Sequence, residues 1–375
     1  MSGLTARIRA RRLSRLALQS WKHGDVEAAN RFAQRVDAVM TRRNVDLKDA
    51  VIQVDALLTR ANVASRVADH ATAAQLLGSA VAMLESHPAS ATRDLWLAET
   101  LTRNGDSLRL AGQHADARQA FDKVFGLDNW DELEPLRKAA ALNAAGILCK
   151  DTGRYQDACS YYALALRRTT DALGADDTEV AAILHNLAGL AHVQGNYDEA
   201  EPHIRRALEI RHRNAPSNIA GIAADLSVLG AVLAGQGRLV DAETCISEAL
   251  RVWTDLYGPN HYEIAVQLNN LAGIQLQTGR QGEAESNYKR ALSIKRRVLG
   301  QDHPEVGSLL NNLASLEADL NRYSSAAKHY DQALAILEQA LGIEHPNTQA
   351  CATNRNRLRR NDTDPEWPGK ARESC

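Results

Sequence analysis

One three-residue phrase constrains this chain more than anything else in it. Gly153-Arg154-Tyr155, Gly195-Asn196-Tyr197, Gly237-Arg238-Leu239, Gly279-Arg280-Gln281 and Asn321-Arg322-Tyr323 begin 42 residues apart. Five positions after each start stands an alanine: Ala158, Ala200, Ala242, Ala284 and Ala326. Seven positions further on comes a second, Ala165, Ala207, Ala249, Ala291 and Ala333, each followed by Leu. A fixed period of this length marks a repeat array, in which each unit packs on its neighbours and none has a core of its own. The 375 residues therefore count units instead of dividing into ordinary domains.

Each unit reads as helix, short turn, helix. Around Gly195, the residues Leu184, Leu187, Ala188 and Ala191 share one face of the first helix, and Ala200, Ile204, Ala207, Leu208 and Arg211 continue that face in the second. Gly195 and Asn196 suit a left-handed helix stop. The alanines mark crossings where helix axes approach within about 8–10 Å and leave no room for a larger side chain. Leucine at Ala200 or Ala242 would overpack such a crossing by roughly 1–3 kcal/mol. Between units, Leu173-Gly174, Tyr257-Gly258, Leu299-Gly300 and Leu341-Gly342 close the second helix, and His303-Pro304 and His345-Pro346 open the next first helix. Asn214-Ala215-Pro216-Ser217 breaks this linker pattern and predicts a locally altered joint. The expected fold class is all-α, a solenoid of stacked antiparallel helix pairs.

The spacing divides the chain. Residues 1–23 read as a basic helix, with Arg7, Arg9, Arg11, Arg12, Arg15 and Lys22 and no acid before Asp25. Residues 24–139 hold degenerate repeats, with turns near His23-Gly24-Asp25, Asp69-His70 and Gly112-Gln113-His114. Residues 140–346 are regular 42-residue repeats. Residues 347–360 form a basic capping helix, and 361–375 a polar tail with Pro365 and Pro368 that is expected to be disordered.

Composition excludes several classes. A net charge of −2 gives no global attraction to nucleic acid or an anionic membrane. The five cysteines include no Cys-x-x-Cys pair, so neither a disulfide framework nor a zinc site is indicated, and Cys149, Cys159 and Cys245 are expected to be small buried thiols in a reducing cytoplasm. No apolar segment follows the N-terminal arginines, so a secretory signal is not expected. Ile219 to Gly235 is interrupted by Asp225 and Ser227 and falls in register as a first helix, not a membrane span.

The pattern Leu184, Leu187, Ala188, Gly195, Tyr197, Ala200, Ala207 resembles the tetratricopeptide repeat. The 42-residue period, the Leu-Asn-Asn-Leu-Ala phrase at Leu268–Ala272 and Leu310–Ala314, and the Leu-Gly-x-x-His-Pro linkers resemble the longer subtype of kinesin light chains and many bacterial proteins. That resemblance implies a right-handed α-solenoid whose first helices line a concave groove for an extended peptide or a partner protein. Carried onto this sequence, the groove face includes Asn143, His185, Asn186, Ser227, Asn269, Asn270, Asn311 and Asn312. Asparagine amides offer two donors and an acceptor, which suits pairing with a peptide backbone and equally suits bonds between neighbouring repeats. The family's carboxylate clamp requires Lys and Arg where Ala182, Ala224, Val266, Ser308, His185 and Ser227 stand, so that specialisation is not expected.

No catalytic motif stands out. His185 and His192 share a helix face without a third metal ligand, Asp176-Asp177 reads as a helix cap, and neither a Gly-x-Ser-x-Gly elbow nor a phosphate loop is present. The basic start is too short for a helix-turn-helix, so nucleic acid is not an expected partner. The expectation is a cytoplasmic, non-catalytic interaction scaffold with no cofactor and no membrane. The alternative is a peptide-sensing regulator acting on a protein or nucleic-acid partner.

Overall fold

A computed structural model describes residues 3–23, 25–40, 46–66 and 69–363. Among them stand seventeen α-helices, one 3₁₀ turn and no strand. The first helices of successive pairs are α1 (Gly3–Lys22), α3 (Leu47–Arg66), α5 (Ala91–Leu110), α7 (Pro135–Asp151), α9 (Thr178–Val193), α11 (Ile219–Gly235), α13 (Tyr262–Gln277) and α15 (Pro304–Asp319). The second helices are α2 (Val26–Val39), α4 (His70–Glu85), α6 (His114–Phe125), α8 (Tyr155–Leu173), α10 (Tyr197–Asn214), α12 (Leu239–Tyr257), α14 (Gln281–Leu299) and α16 (Tyr323–Leu341). A last helix, α17 (Pro346–Thr363), packs on α16 and α15. Beyond Thr363 the expected tail lies outside the described residues, as does Gly24 of the first turn. None of the described helices is long and apolar enough to cross a membrane.

The chain forms two compact units. Unit 1 is Met1–Leu148 with Ala163–Arg168, and unit 2 is Cys149–Tyr162 with Thr169–Cys375. In unit 1, α1 pairs with α2, α3 with α4 and α5 with α6. The basic helix α1 buries Ala10, Leu13 and Ala17 against Ala33, Val36, Ile52 and Ala56, and its Arg7 binds Asp46 and Asp49 at the start of α3. In unit 2 the hairpins α9–α10, α11–α12, α13–α14 and α15–α16 stack in sequence.

The repeated residues account for this stacking. The turns at Gly195, Gly237 and Gly279 have φ of 77°, 78° and 77°, and Asn321 takes the same role at 59°. That left-handed backbone costs glycine nothing and asparagine little. Ala200, Ala242, Ala284 and Ala326 are fully buried, as are Ala207, Ala249, Ala291 and Ala333. Small residues also face large ones across hairpins. A methyl group on Gly230 would lie 2.6 Å from Ile246 Cδ1, and one on Gly235 would lie 2.3 Å from the Tyr197 ring. Between hairpins, Gly258, Gly300 and Gly342 cap α12, α14 and α16 with positive φ.

The irregular linker is indeed a different joint. Helix α10 ends on Ala215 at φ −144°, with no left-handed glycine. Its last turn instead supplies Arg211, only 7% exposed, which donates to the Gly221 carbonyl and to the fully buried Asp225 carboxylate at 2.6 Å. One expectation fails: Cys159 is exposed, while Cys149 is buried and Cys245 half-buried. Cys159 directly follows the buried Ala158, and one helical step of about 100° turns it outward.

Candidate functional site

Five asparagines form a continuous amide ladder across α13, α15 and α17. Asn269 Nδ2 donates to Asn270 Oδ1 at 3.3 Å, and Asn312 Nδ2 donates to Asn269 Oδ1 at 3.0 Å. Asn311 Nδ2 donates to Asn312 Oδ1 at 3.5 Å, and Asn354 Nδ2 to Asn311 Oδ1 at 3.1 Å. All five are half-buried. Each amide uses one N–H at most in the ladder, so a second donor remains on every rung. The ladder thus serves stacking and still offers hydrogen bonds to a neighbour.

The other residues singled out in the sequence sit in different surroundings. His185 on α9 binds the Asp225 carboxylate of α11 through Nδ1 at 2.8 Å, so Asp225 is shared between His185 and Arg211. Ser227 is buried and gives its hydroxyl to the Ala223 carbonyl at 2.8 Å, inside its own helix. Asn186 is half-buried beside His185 on α9. His192, at the far end of α9, lies against the Tyr197 ring with centroids 5.7 Å apart, and burial holds its imidazole pKa below the usual value. Asn143 belongs to unit 1, where it lines a cavity of about 340 Å³ with Asn62, Ser65, Arg103 and Asp106. Arg103 donates to the Asn62 side chain across that cavity, joining α5 to α3.

A charged cluster occupies the beginning of α13 and α15. The Tyr262 hydroxyl donates to both oxygens of Glu305, at 2.9 and 2.8 Å, and Lys295 Nζ from α14 donates to Glu305 Oε2 at 2.7 Å. Burial pushes the Glu305 carboxyl up, but the Lys295 ammonium and these hydrogen bonds outweigh it and hold the group below the usual carboxylate range. At its neighbour Glu263 the Lys295 charge is outweighed. Burial, reinforced by the Glu305 charge, raises its pKa to about 7. Burial likewise keeps the Tyr262 phenol from ionising, helped by Glu305 and, more weakly, by Asp151 at the end of α7.

Two of these features escaped the sequence reading. Asn354 stands one period after Asn312, and the register alone could have found it. The Tyr262–Glu305–Lys295 group had no such signal, because the period places proline, Pro304 and Pro346, where Tyr262 stands. Among the described residues, no group of three or more His, Cys, Asp or Glu is arranged to hold a metal ion.

The tetratricopeptide repeat profile matches residues 137–212, 222–297 and 268–339, together just over half of the chain. No curated protein matches the sequence. Among solved structures, a Rap protein complexed with Competence and Sporulation Factor superposes with a TM-score of 0.60 at 15% identity, over 83% of this chain and 88% of that one. NprR in complex with its cognate peptide NprX gives 0.60 at 15% identity, over 86% and 91%. A putative kinesin light chain from Podosopora anserina with nearly identical repeats gives 0.40 at 17% identity, over 55% of this chain and 97% of that one.

Proposed function

The chain belongs to the tetratricopeptide repeat family, in its 42-residue, kinesin-light-chain-like form, and on that premise we propose that it is a non-catalytic scaffold that binds an extended peptide or a segment of a partner protein along its first helices. The observation that carries this reading is the amide ladder. A row of half-buried asparagines, each keeping an N–H, matches the repeating carbonyls of an extended backbone without requiring a particular sequence. The solved NprR complex supports a peptide as the guest, since that solenoid of the same fold holds its cognate peptide. The buried Asp225–Arg211 pair and the packed α1 are accounted for by structure alone and call for neither catalysis nor nucleic acid. Free cysteines suit a reducing compartment, which favours the cytoplasm.

The test is a peptide array probed with the full chain and with Asn270→Ala/Asn312→Ala. Loss of captured peptides at unchanged circular dichroism supports the groove, and unchanged capture removes it. A second reading, a peptide-sensing regulator, draws on the same NprR complex. It requires the captured peptide to alter the binding of a second macromolecule, and a salt series of DNA gel shifts with and without residues 1–23 decides whether that partner is nucleic acid.

A further inference from the structure

Unit 2 touches itself across 194 residues. His345, 6% exposed at the start of α17, places Nε2 3.0 Å from the Asp151 carbonyl at the end of α7. Its tautomer is fixed by the other ring nitrogen, because Nδ1 accepts the Asn347 N–H at 3.1 Å. Nε2 therefore carries the proton and donates it to Asp151. Beside this bond, Pro346 Cδ lies 2.6 Å from where a methyl group on Gly153 would stand, and His345 Cδ2 lies 3.5 Å away. Gly153 thus serves twice, as a left-handed turn and as the seat of the proline ring.

The regular array consequently closes on its own first turn. The Asp151 carbonyl binds His345, and its carboxylate charge bears weakly on the Tyr262 phenol, so the end of α7 meets the start of α17 within electrostatic reach of the start of α13. Glu305, bound to Tyr262, keeps 39% of its side chain accessible.

We propose that His345 and Pro346 form a clasp that holds unit 2 in a closed turn and shuts the edge of the groove where α13 and α15 begin, so that a partner reaches that edge only when the clasp opens. This rests on the groove reading for its purpose, but the closure is testable without any partner. His345→Ser separates two roles, since serine still caps α17 and cannot reach Asp151.

In the full-length protein, we expect His345→Ser to speed hydrogen exchange of the 151–154 amides by about fivefold to tenfold, the loss of one hydrogen bond and its packing. The first amides of α17 should stay protected. Carbodiimide coupling of glycine ethyl ester to Glu263 and Glu305, read by mass spectrometry, should become several-fold faster, and His345→Gln, which can still donate to Asp151, should restore much of the slow rate. Unchanged coupling at both carboxylates overturns the proposal, as does faster exchange confined to α17. Neither measurement involves a peptide, so failure of the array test with the asparagine variant would strike the groove reading and leave the clasp standing.

Discussion

Units 1 and 2 join neighbouring first helices by different chemistry. In unit 1 the joints are charged: Ser14 with Asp55, Arg103 with Asn62, and Arg137 with Glu99 at 2.6 Å. In unit 2 neutral amides take a share, Asn312 to Asn269 and Asn354 to Asn311, beside charged joints at His185–Asp225–Arg211 and Tyr262–Glu305–Lys295. A guanidinium or carboxylate commits to one partner, because leaving it buried and unmatched is costly. An amide has spare donors and loses little when one bond is exchanged for another. The joints of unit 1 are therefore tied to particular partners, and the amide joints of unit 2 can exchange one hydrogen bond for another.

The first of these charged joints in unit 2 offers the largest test. Asp225→Ala strands the buried Arg211 guanidinium and should cost about 3–5 kcal/mol, visible as early melting of α9–α12 by hydrogen exchange. A cost below that of an ordinary polar substitution would show that the joint is as forgiving as its amide neighbours. Next in size are the crossings, where the two units should not differ. Ala242→Leu and Ala117→Leu each place a larger side chain at a fully buried position and should each cost roughly 1–3 kcal/mol. Unequal losses in chemical denaturation would mean that the units differ in packing as well as in polar chemistry.

A smaller effect isolates the ladder. Asn312→Ala should cost about 1 kcal/mol, nearly independent of salt, whereas the stability lost in Arg137→Met should shrink as salt screens its pair with Glu99. Paired melts at low and high ionic strength separate the two. The last effect is conditional on pH. Because the folded state raises the Glu263 pKa to about 7, the protonated form favours folding, and that contribution is present below the ordinary carboxylate value and lost as pH rises through 7. Glu263→Gln should raise the melting temperature by a few degrees at pH 8 and leave it unchanged near pH 5. An equal gain at both would remove titration as the cause.

Much of this fold was legible because its determinants are local and periodic. A glycine or asparagine at each turn and two alanines at each crossing recur at one spacing, and Ala158 through Ala333 are buried as that spacing requires. The site was less legible because its contacts are not periodic. The register placed Asn269, Asn270, Asn311 and Asn312 together, but which amide donates to which depends on helix offsets no spacing records. Ser227 occupies the position of Asn269 one period earlier, yet its short side chain bonds to its own helix. The His345–Asp151 bond joins residues 194 apart in sequence, and only the accumulated curvature of the stacked hairpins brings them within reach.

The fit of Tyr197 against Gly235 carries a consequence for how such an array can change. The ring belongs to one hairpin and its recess to the following one. The period puts Leu239 and Gln277 at the equivalent places one step on, so the adjoining interface has neither the ring nor the recess. The hairpins descend from one pattern but are no longer interchangeable parts. Transposing the 197–214 segment with its successor would strand a tyrosine against a side chain that leaves it no hollow, so the linear order of the modules is written into their seams.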